Sequence, residues 1–270
     1  MVDTKSETLE LRIRDVDVSL STIYRTGVGA PILFLHGFGA TKEDYADIAR
    51  LARFSGRPFI AYDAPGCGES RCSDLAAVGI PLLVETARAV LERMDVQSFH
   101  VVGHSMGGLT SLMLAHEEGE RVCSFVDIEG NVAPEDCFLS RQIFTHAADD
   151  PHEFFVHFIE RVRQSSEFSS SLYAASLKHK VRAEAVRGIF TSMVELSDRG
   201  DLMRKFLGLP CRKMFMYGEQ NSHLSYLSQL EAAGVTLARI AGSGHFPMYS
   251  NPVEMWDQIA GFVGSQQTGG

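Results

Sequence analysis

Residues 99–108 read Phe99-His100-Val101-Val102-Gly103-His104-Ser105-Met106-Gly107-Gly108. An apolar run leads directly into Gly-x-Ser-x-Gly, and helix-forming residues follow directly after it. This order sets a serine on a sharp strand-to-helix turn, its hydroxyl projected above the edge of a sheet. Glycines at 103 and 107 leave space where strand and helix approach closely. The first turn of the following helix points backbone N–H groups at any negative charge that forms beside Ser105. Ser105 is therefore the expected nucleophile, and the backbone N–H of Met106 one of two expected oxyanion donors.

Other short apolar runs flank this turn, at 31–36, 58–63, 122–128, 213–217 and 235–240. They lack clean alternation, as strands buried on both faces do. Helical patterns separate them at 42–54, 81–94, 106–118, 223–233 and 252–263, the last opened by Asn251 and Pro252. Strand and helix in alternation predict an α/β fold with a mostly parallel central sheet flanked by helices. Residues 8–14 and 17–24 alternate with period two around Asp15 and predict an antiparallel hairpin on the sheet edge. Between 131 and 209 the alternation stops. Helical spacing there covers 135–146, 152–164, 172–180, 182–196 and 198–206, with Phe154, Phe155, Phe158, Ile159 and Val162 on one face. The expected organisation is a core of 1–130 and 210–270, with a helical cap of 131–209 inserted after the sixth strand. Residues 265–270 read as a disordered tail.

Serine is a weak nucleophile and needs a base, usually a histidine held by a carboxylate. His245 lies in the Gly-rich stretch Gly242-Ser-Gly-His-Phe-Pro-Met-Tyr-Ser-Asn-Pro252, between the last strand and the last helix. None of the other nine histidines has that setting after the nucleophile. His104 reads as a packing residue of the turn, and His36 as a strand-end residue supporting the adjacent loop. His36-Gly37-Phe38-Gly39 follows the first central strand, so the Phe38 N–H is the second expected oxyanion donor.

Taken together, His36-Gly-Phe-Gly39, Asp63-Ala-Pro-Gly-Cys-Gly-Glu-Ser70, Gly103-His-Ser-Met-Gly-Gly108, Tyr217-Gly-Glu219 and Gly244-His-Phe-Pro247 resemble the α/β-hydrolase fold family. The resemblance spans most of the chain. It implies a sheet of about eight strands, a helical cap over the site and a Ser-His-acid triad. In most members the acid is an Asp in a Gly-x-x-Asp pattern, and here that position holds Asn221. A neutral amide cannot stabilise an imidazolium as a carboxylate does. Some members carry the acid one strand earlier, where this chain has Phe125-Val-Asp-Ile-Glu-Gly130. Glu129 is accordingly assigned as the acid in preference to Glu219.

The reaction expected from these parts is hydrolysis of a carboxylic ester or lactone through an acyl-enzyme on Ser105, with no metal or organic cofactor. The Phe-rich cap suggests a small to medium, apolar substrate. C–C bond hydrolysis, cofactor-independent perhydrolysis and a low-turnover binding or receptor-like role use the same parts. His152-Glu-Phe-Phe-Val-His157 has one residue too many for a zinc HExxH.

Composition narrows the remaining choices. The 270 residues are 45% hydrophobic and 22% charged, ordinary values for a globular protein. Lys plus Arg is 25 against 34 Asp plus Glu, a net charge of −9 that disfavours nucleic acid and membrane surfaces as partners. The first ten residues lack the apolar run of a signal peptide. Five scattered cysteines form no CxxC pair, which reads as reduced thiols in a cytoplasmic protein. The oligomeric state is open, a homodimer among the options.

Overall fold

The computed structural model describes residues 4–146, 150–166 and 168–264. The tail expected at 265–270 lies outside the described residues. The chain opens with β1 (Lys5–Ile13) and β2 (Val16–Arg25), an antiparallel hairpin in which Leu9 faces Leu20. Next come β3 (Ile32–Leu35), β4 (Phe59–Tyr62), the two-residue β5 (Arg71–Cys72) and α1 (Ile80–Arg93). β6 (Phe99–His104), α2 (Met106–Glu118) and β7 (Val122–Ile128) follow. The stretch before the next strand holds α3 (Gln142–Thr145), α4 (Pro151–Arg163), α5 (Ser170–Lys180), α6 (Ala183–Arg199) and α7 (Leu202–Gly208). The chain then returns to the sheet with β8 (Arg212–Gly218), α8 (Leu227–Ala232) and β9 (Thr236–Ile240), and closes with α9 (Pro247–Ser250) and α10 (Pro252–Gly264).

The strands form one mixed sheet in the order β1-β2-β4-β3-β6-β7-β8-β9, with β5 paired to β2 off this path. From β4 to β9 every neighbouring pair is parallel, and the hairpin joins antiparallel through β2. The α/β architecture is thus the one the sequence predicts, with eight strands across the sheet and β5 as a ninth. Because β5 counts in chain order, the helical stretch follows the seventh strand rather than the sixth.

Aromatic packing ties helices to both sides of the sheet. Phe34 of β3 stacks on Tyr45 and meets the edge of Trp256 from α10. Phe206 of α7 packs edge-on against Phe125 of β7 and Phe215 of β8. All of these rings except Trp256 are essentially sealed from solvent, so each contributes about 1.5–3 kcal/mol of burial.

Several local expectations shift. Residues 42–54 form two 3-10 segments, Lys42–Ala49 and Ala52–Phe54, in place of an α-helix. Here tertiary bonds override spacing: Lys42 is fixed to Asp63 through both its backbone N–H (2.8 Å) and its Nζ (3.0 Å). The helix expected at 135–146 is broken into a 3-10 turn, Pro134–Cys137, and the four residues of α3. Asp136 breaks it by accepting the N–H groups of both Val132 and Ala133, which caps the first turn. α6 runs on through Arg199 and absorbs the start expected for the next helix at 198. Of 223–233 only α8 is helical. Among the described residues no helix is long and apolar enough to cross a membrane.

The approach of α2 to the sheet is so close that a β-carbon on Gly107 would collide with the carbonyl oxygens of Leu35 and His36. These are backbone atoms of a central strand and its exit, which cannot swing aside. Gly107→Ala should therefore destabilise the fold by about 3 kcal/mol or more, measured by urea unfolding, or abolish soluble expression. A loss under 1 kcal/mol would contradict this packing.

Candidate active site

The turn at residue 105 has the geometry its sequence implies. Ser105 sits at φ 52°, ψ −117°, a backbone conformation that non-glycine residues rarely adopt. The sheet holds it there: the Ser105 N–H donates to the Ile128 carbonyl at 3.0 Å, extending the β6–β7 ladder one step past the strand. Leu109 N–H donates to the Ser105 carbonyl at 2.9 Å and starts the helix. Ser105 is half-buried, and Met106, first residue of α2, has an N–H without a partner inside the helix.

Glu129 repeats the device on the next strand. It has φ 48°, and its N–H donates to Met216 of β8 at 3.0 Å. Its buried carboxylate is surrounded by donors. Oε1 accepts from Gly218 N–H at 2.7 Å and from Asn221 Nδ2 at 2.9 Å, and Oε2 accepts from Asn221 Nδ2 at 2.7 Å. Oε2 also lies 2.8 Å from His245 Nδ1. A carboxylate only accepts, so Nδ1 carries the proton and Nε2 is left with a lone pair.

The structure therefore brings Ser105, His245 and Glu129 together at the C-terminal edge of the parallel strands. Glu219 is directed elsewhere. It is exposed, accepting from Arg239 at 2.8 Å and Gly242 N–H at 3.0 Å, and these contacts hold its carboxyl below the usual range. Asn221, at the position where the resemblance places an acid, donates to Glu129 from the neighbouring strand. Sequence reading missed that role, although the amide at that position was its one available signal.

His104 does more than pack. Its Nε2–H donates to the His245 carbonyl at 2.7 Å, so the residue before Ser105 grips the backbone of His245. Burial, then the proximity of His245, holds its pKa well below the usual histidine value. It therefore stays neutral.

The Phe38 amide is aimed by its neighbours. The Gly37 carbonyl accepts from His36 Nδ1 at 2.8 Å and from Ala40 N–H at 3.1 Å. The peptide is planar and trans, so fixing that oxygen fixes the Phe38 N–H pointing the opposite way. His36 is locked in turn, with Nε2 accepting from Ala64 N–H at 2.8 Å. Tyr173 of α5 donates to the Phe38 carbonyl at 2.7 Å.

Above these groups lies a tight cleft with only about 10 Å³ of free space, lined by Ser105, His245, Phe38, Phe138, Phe190 and Met193, among others. Phe38 packs against Phe155, Phe158 and Phe190 of the inserted helices, and the Phe138 ring meets His245 edge-on at 5.0 Å. Asp136 also lines the cleft. Its carboxylate accepts from Val132 and Ala133 N–H (both 2.8 Å) and Tyr226 OH (2.7 Å), yet burial pushes its pKa up to about 6. Asp127, fully buried behind Glu129, accepts from Gly130 N–H at 2.9 Å, and burial raises its pKa well above the usual carboxylate value. Among the described residues no group of three or more His, Cys, Asp or Glu is arranged to hold a metal ion.

With this geometry, residues 32–258 match the model of the alpha/beta hydrolase family. The chain belongs to that family. It is 24% identical over 273 residues to an sn-1-specific diacylglycerol lipase of Xenopus laevis, covering 93% of this chain and 85% of the lipase. It is 31% identical over 120 residues to a pimeloyl-[acyl-carrier protein] methyl ester esterase of Aeromonas salmonicida, 44% of each chain. Among solved structures, an N-acyl homoserine lactonase superposes with TM-score 0.75 at 15% identity, covering 99% of this chain and 98% of the lactonase. A carboxylesterase of the thaumarchaeon Nitrososphaera gargenis gives 0.73 at 18% identity, over 96% and 98%. At such identities the structures share the hydrolase's fold.

Two outcomes are expected of this site. Asn221→Ala removes charge-assisted donors from a buried carboxylate, which costs about 1.5–3 kcal/mol and should lower kcat about 10–100-fold on any ester turned over. Unchanged kcat would mean that Glu129 does not depend on Asn221. Asp136 binds its proton more tightly folded than unfolded, so its contribution to stability is full below its unfolded value near 3.8 and is lost as pH rises towards 6. Wild-type stability relative to Asp136→Asn should fall across that window by roughly 1.4 kcal/mol per pH unit, read by denaturation at pH 4, 5 and 6. A flat difference would show that the carboxyl is not perturbed.

Proposed function

We propose that this hydrolase cleaves carboxylic esters or lactones through an acyl-enzyme on Ser105. The observation that carries the reading is the buried 2.8 Å contact between His245 Nδ1 and Glu129 Oε2, in a cleft wall that Ser105 shares with His245. His245 Nε2 takes the serine proton as the hydroxyl attacks the acyl carbon. Glu129 stabilises the imidazolium so formed, and its own charge is spread over Gly218 and Asn221. The N–H groups of Phe38 and Met106 receive the oxyanion of the tetrahedral intermediate. His245 then returns its proton to the departing alcohol, and a water activated by the same nitrogen releases the acid. Esterase, lipase and lactonase names among the relatives support acyl transfer to water as the chemistry. The apolar cleft beneath residues 131–209, which we read as a cap, favours an apolar acyl group.

A binding protein without turnover is the reading that Asn221 would favour if no carboxylate reached His245. The Glu129 contact gives that alternative no support. A fluorophosphonate probe should label wild type and fail to label Ser105→Ala. Glu129→Gln should lower kcat by about 10⁴, the scale of such an exchange in a Ser-His-Asp enzyme, while Glu219→Gln should change it only a few-fold. Labelling that survives in Ser105→Ala, or the reverse order of the two glutamate variants, would overturn the proposed roles.

A further inference from the structure

The parallel ladder between β7 and β8 begins with Ser124 opposite Arg212. One residue earlier on each strand is a cysteine, Cys123 on β7 and Cys211 just before β8. Neighbouring strands lie about 4.8 Å apart, within the Cα separation of about 4.4–6.8 Å that a disulfide spans. Both residues line the same open cavity at the N-terminal end of the strands, opposite the edge that carries Ser105. Burial raises the Cys211 thiol, and the neighbouring Cys123 adds to the shift. Cys123 is exposed, and both are free thiols.

The backbone around the pair has slack. Phe99 pairs with Val122 and His100 with Ser124, so Cys123 is an extra residue in the β6–β7 ladder, a bulge. Cys211 precedes the ladder and follows Pro210, outside the fixed part of β8. Neither cysteine is a paired position of the β7–β8 ladder, so bringing the two sulfurs together breaks no pairing of that ladder.

We propose that Cys123 and Cys211 form a reversible disulfide, a covalent staple across the two strands from which the 131–209 insertion leaves the sheet and to which it returns. The proposal is independent of the hydrolase chemistry. A low-molecular-weight disulfide, such as oxidised glutathione, is the oxidant. The Cys123 thiolate attacks one of its sulfurs and expels one thiol, leaving a mixed disulfide. The Cys211 thiolate then attacks the Cys123 sulfur and expels the second thiol. Two protein thiols are oxidised to one disulfide as the oxidant is reduced to two thiols, and two protons leave the protein. The product closes a loop containing the whole insertion, so it restricts the unfolded chain strongly.

The experiment incubates the folded chain with a graded ratio of oxidised to reduced glutathione, alkylates residual thiols and maps peptides without reduction. The expected product is monomeric, has lost two hydrogens and links the Cys123 peptide to the Cys211 peptide. Its Tm rises by roughly 5–15 °C and returns with dithiothreitol. Cys123→Ser and Cys211→Ser should each remain folded, lose the linked peptide and show no oxidant-dependent Tm shift. A glutathione adduct persisting on Cys123, a covalent dimer, a link through Cys67, Cys72 or Cys137, or an unchanged Tm in the linked product would each overturn the proposal.

Discussion

A carboxyl group has been taken out of water at Glu129, and the arrangement of the site follows from that cost. Burying a carboxylate is costly unless hydrogen-bond donors replace the water it loses. At Glu129 donors arrive from three directions: the Gly218 amide, the Asn221 side chain and His245 Nδ1. The first two lie at and just beyond the end of β8 and the third in the loop after β9, so the carboxylate knits together the ends of the sheet. Asn221 is essential to that solution. A second carboxylate at 221 would face Glu129 with a like charge, whereas an amide supplies donors.

The same economy appears in the backbone. Ser105 and Glu129 are both non-glycine residues with positive φ, and each follows directly on the strand that carries it. In both cases the strained residue donates its own N–H one step along the ladder to the next strand, to Ile128 and to Met216 respectively. The sheet thus supplies the bonds that hold two unfavourable conformations, each worth about 1–3 kcal/mol, at adjacent strand ends. Ser105 and Glu129 are consequently displaced laterally by one strand, with the His245 loop beside both.

Much of this was legible in the sequence, and what was not had physical reasons. The β6 turn could be read because apolar run, Gly-x-Ser-x-Gly and helix all point to one local geometry. The parallel order followed from repeated strand and helix. Glu129 could be singled out because the resemblance allows the acid one strand earlier, where this apolar strand ends in a carboxylate beside Gly130. Its connection to Asn221 could not, since the two are far apart in sequence and meet only when β7 and β8 align. His104 is a similar case: its position in the motif marks it as buried, but nothing local says that its Nε2 finds the carbonyl of His245. The 3-10 path of residues 42–54 went unread because it is imposed by the buried Lys42–Asp63 pair, a contact between separate segments that periodicity does not register.

The hydrogen bond from His104 to the His245 backbone has a bearing on how such a protein can change over evolutionary time. It joins the residue next to Ser105 to the His245 loop without passing through the stretch between β7 and β8. The bonds that seat Glu129 likewise come from strand ends and their loops. None of these atoms belongs to the helices between β7 and β8. Substitutions in those helices can reshape the wall above Ser105 and leave these bonds in place, whereas Tyr173 of α5, which holds the Phe38 carbonyl, ties the insertion to the loop after β3. The helical segment is in that sense free to vary everywhere except where Tyr173 grips the Phe38 loop.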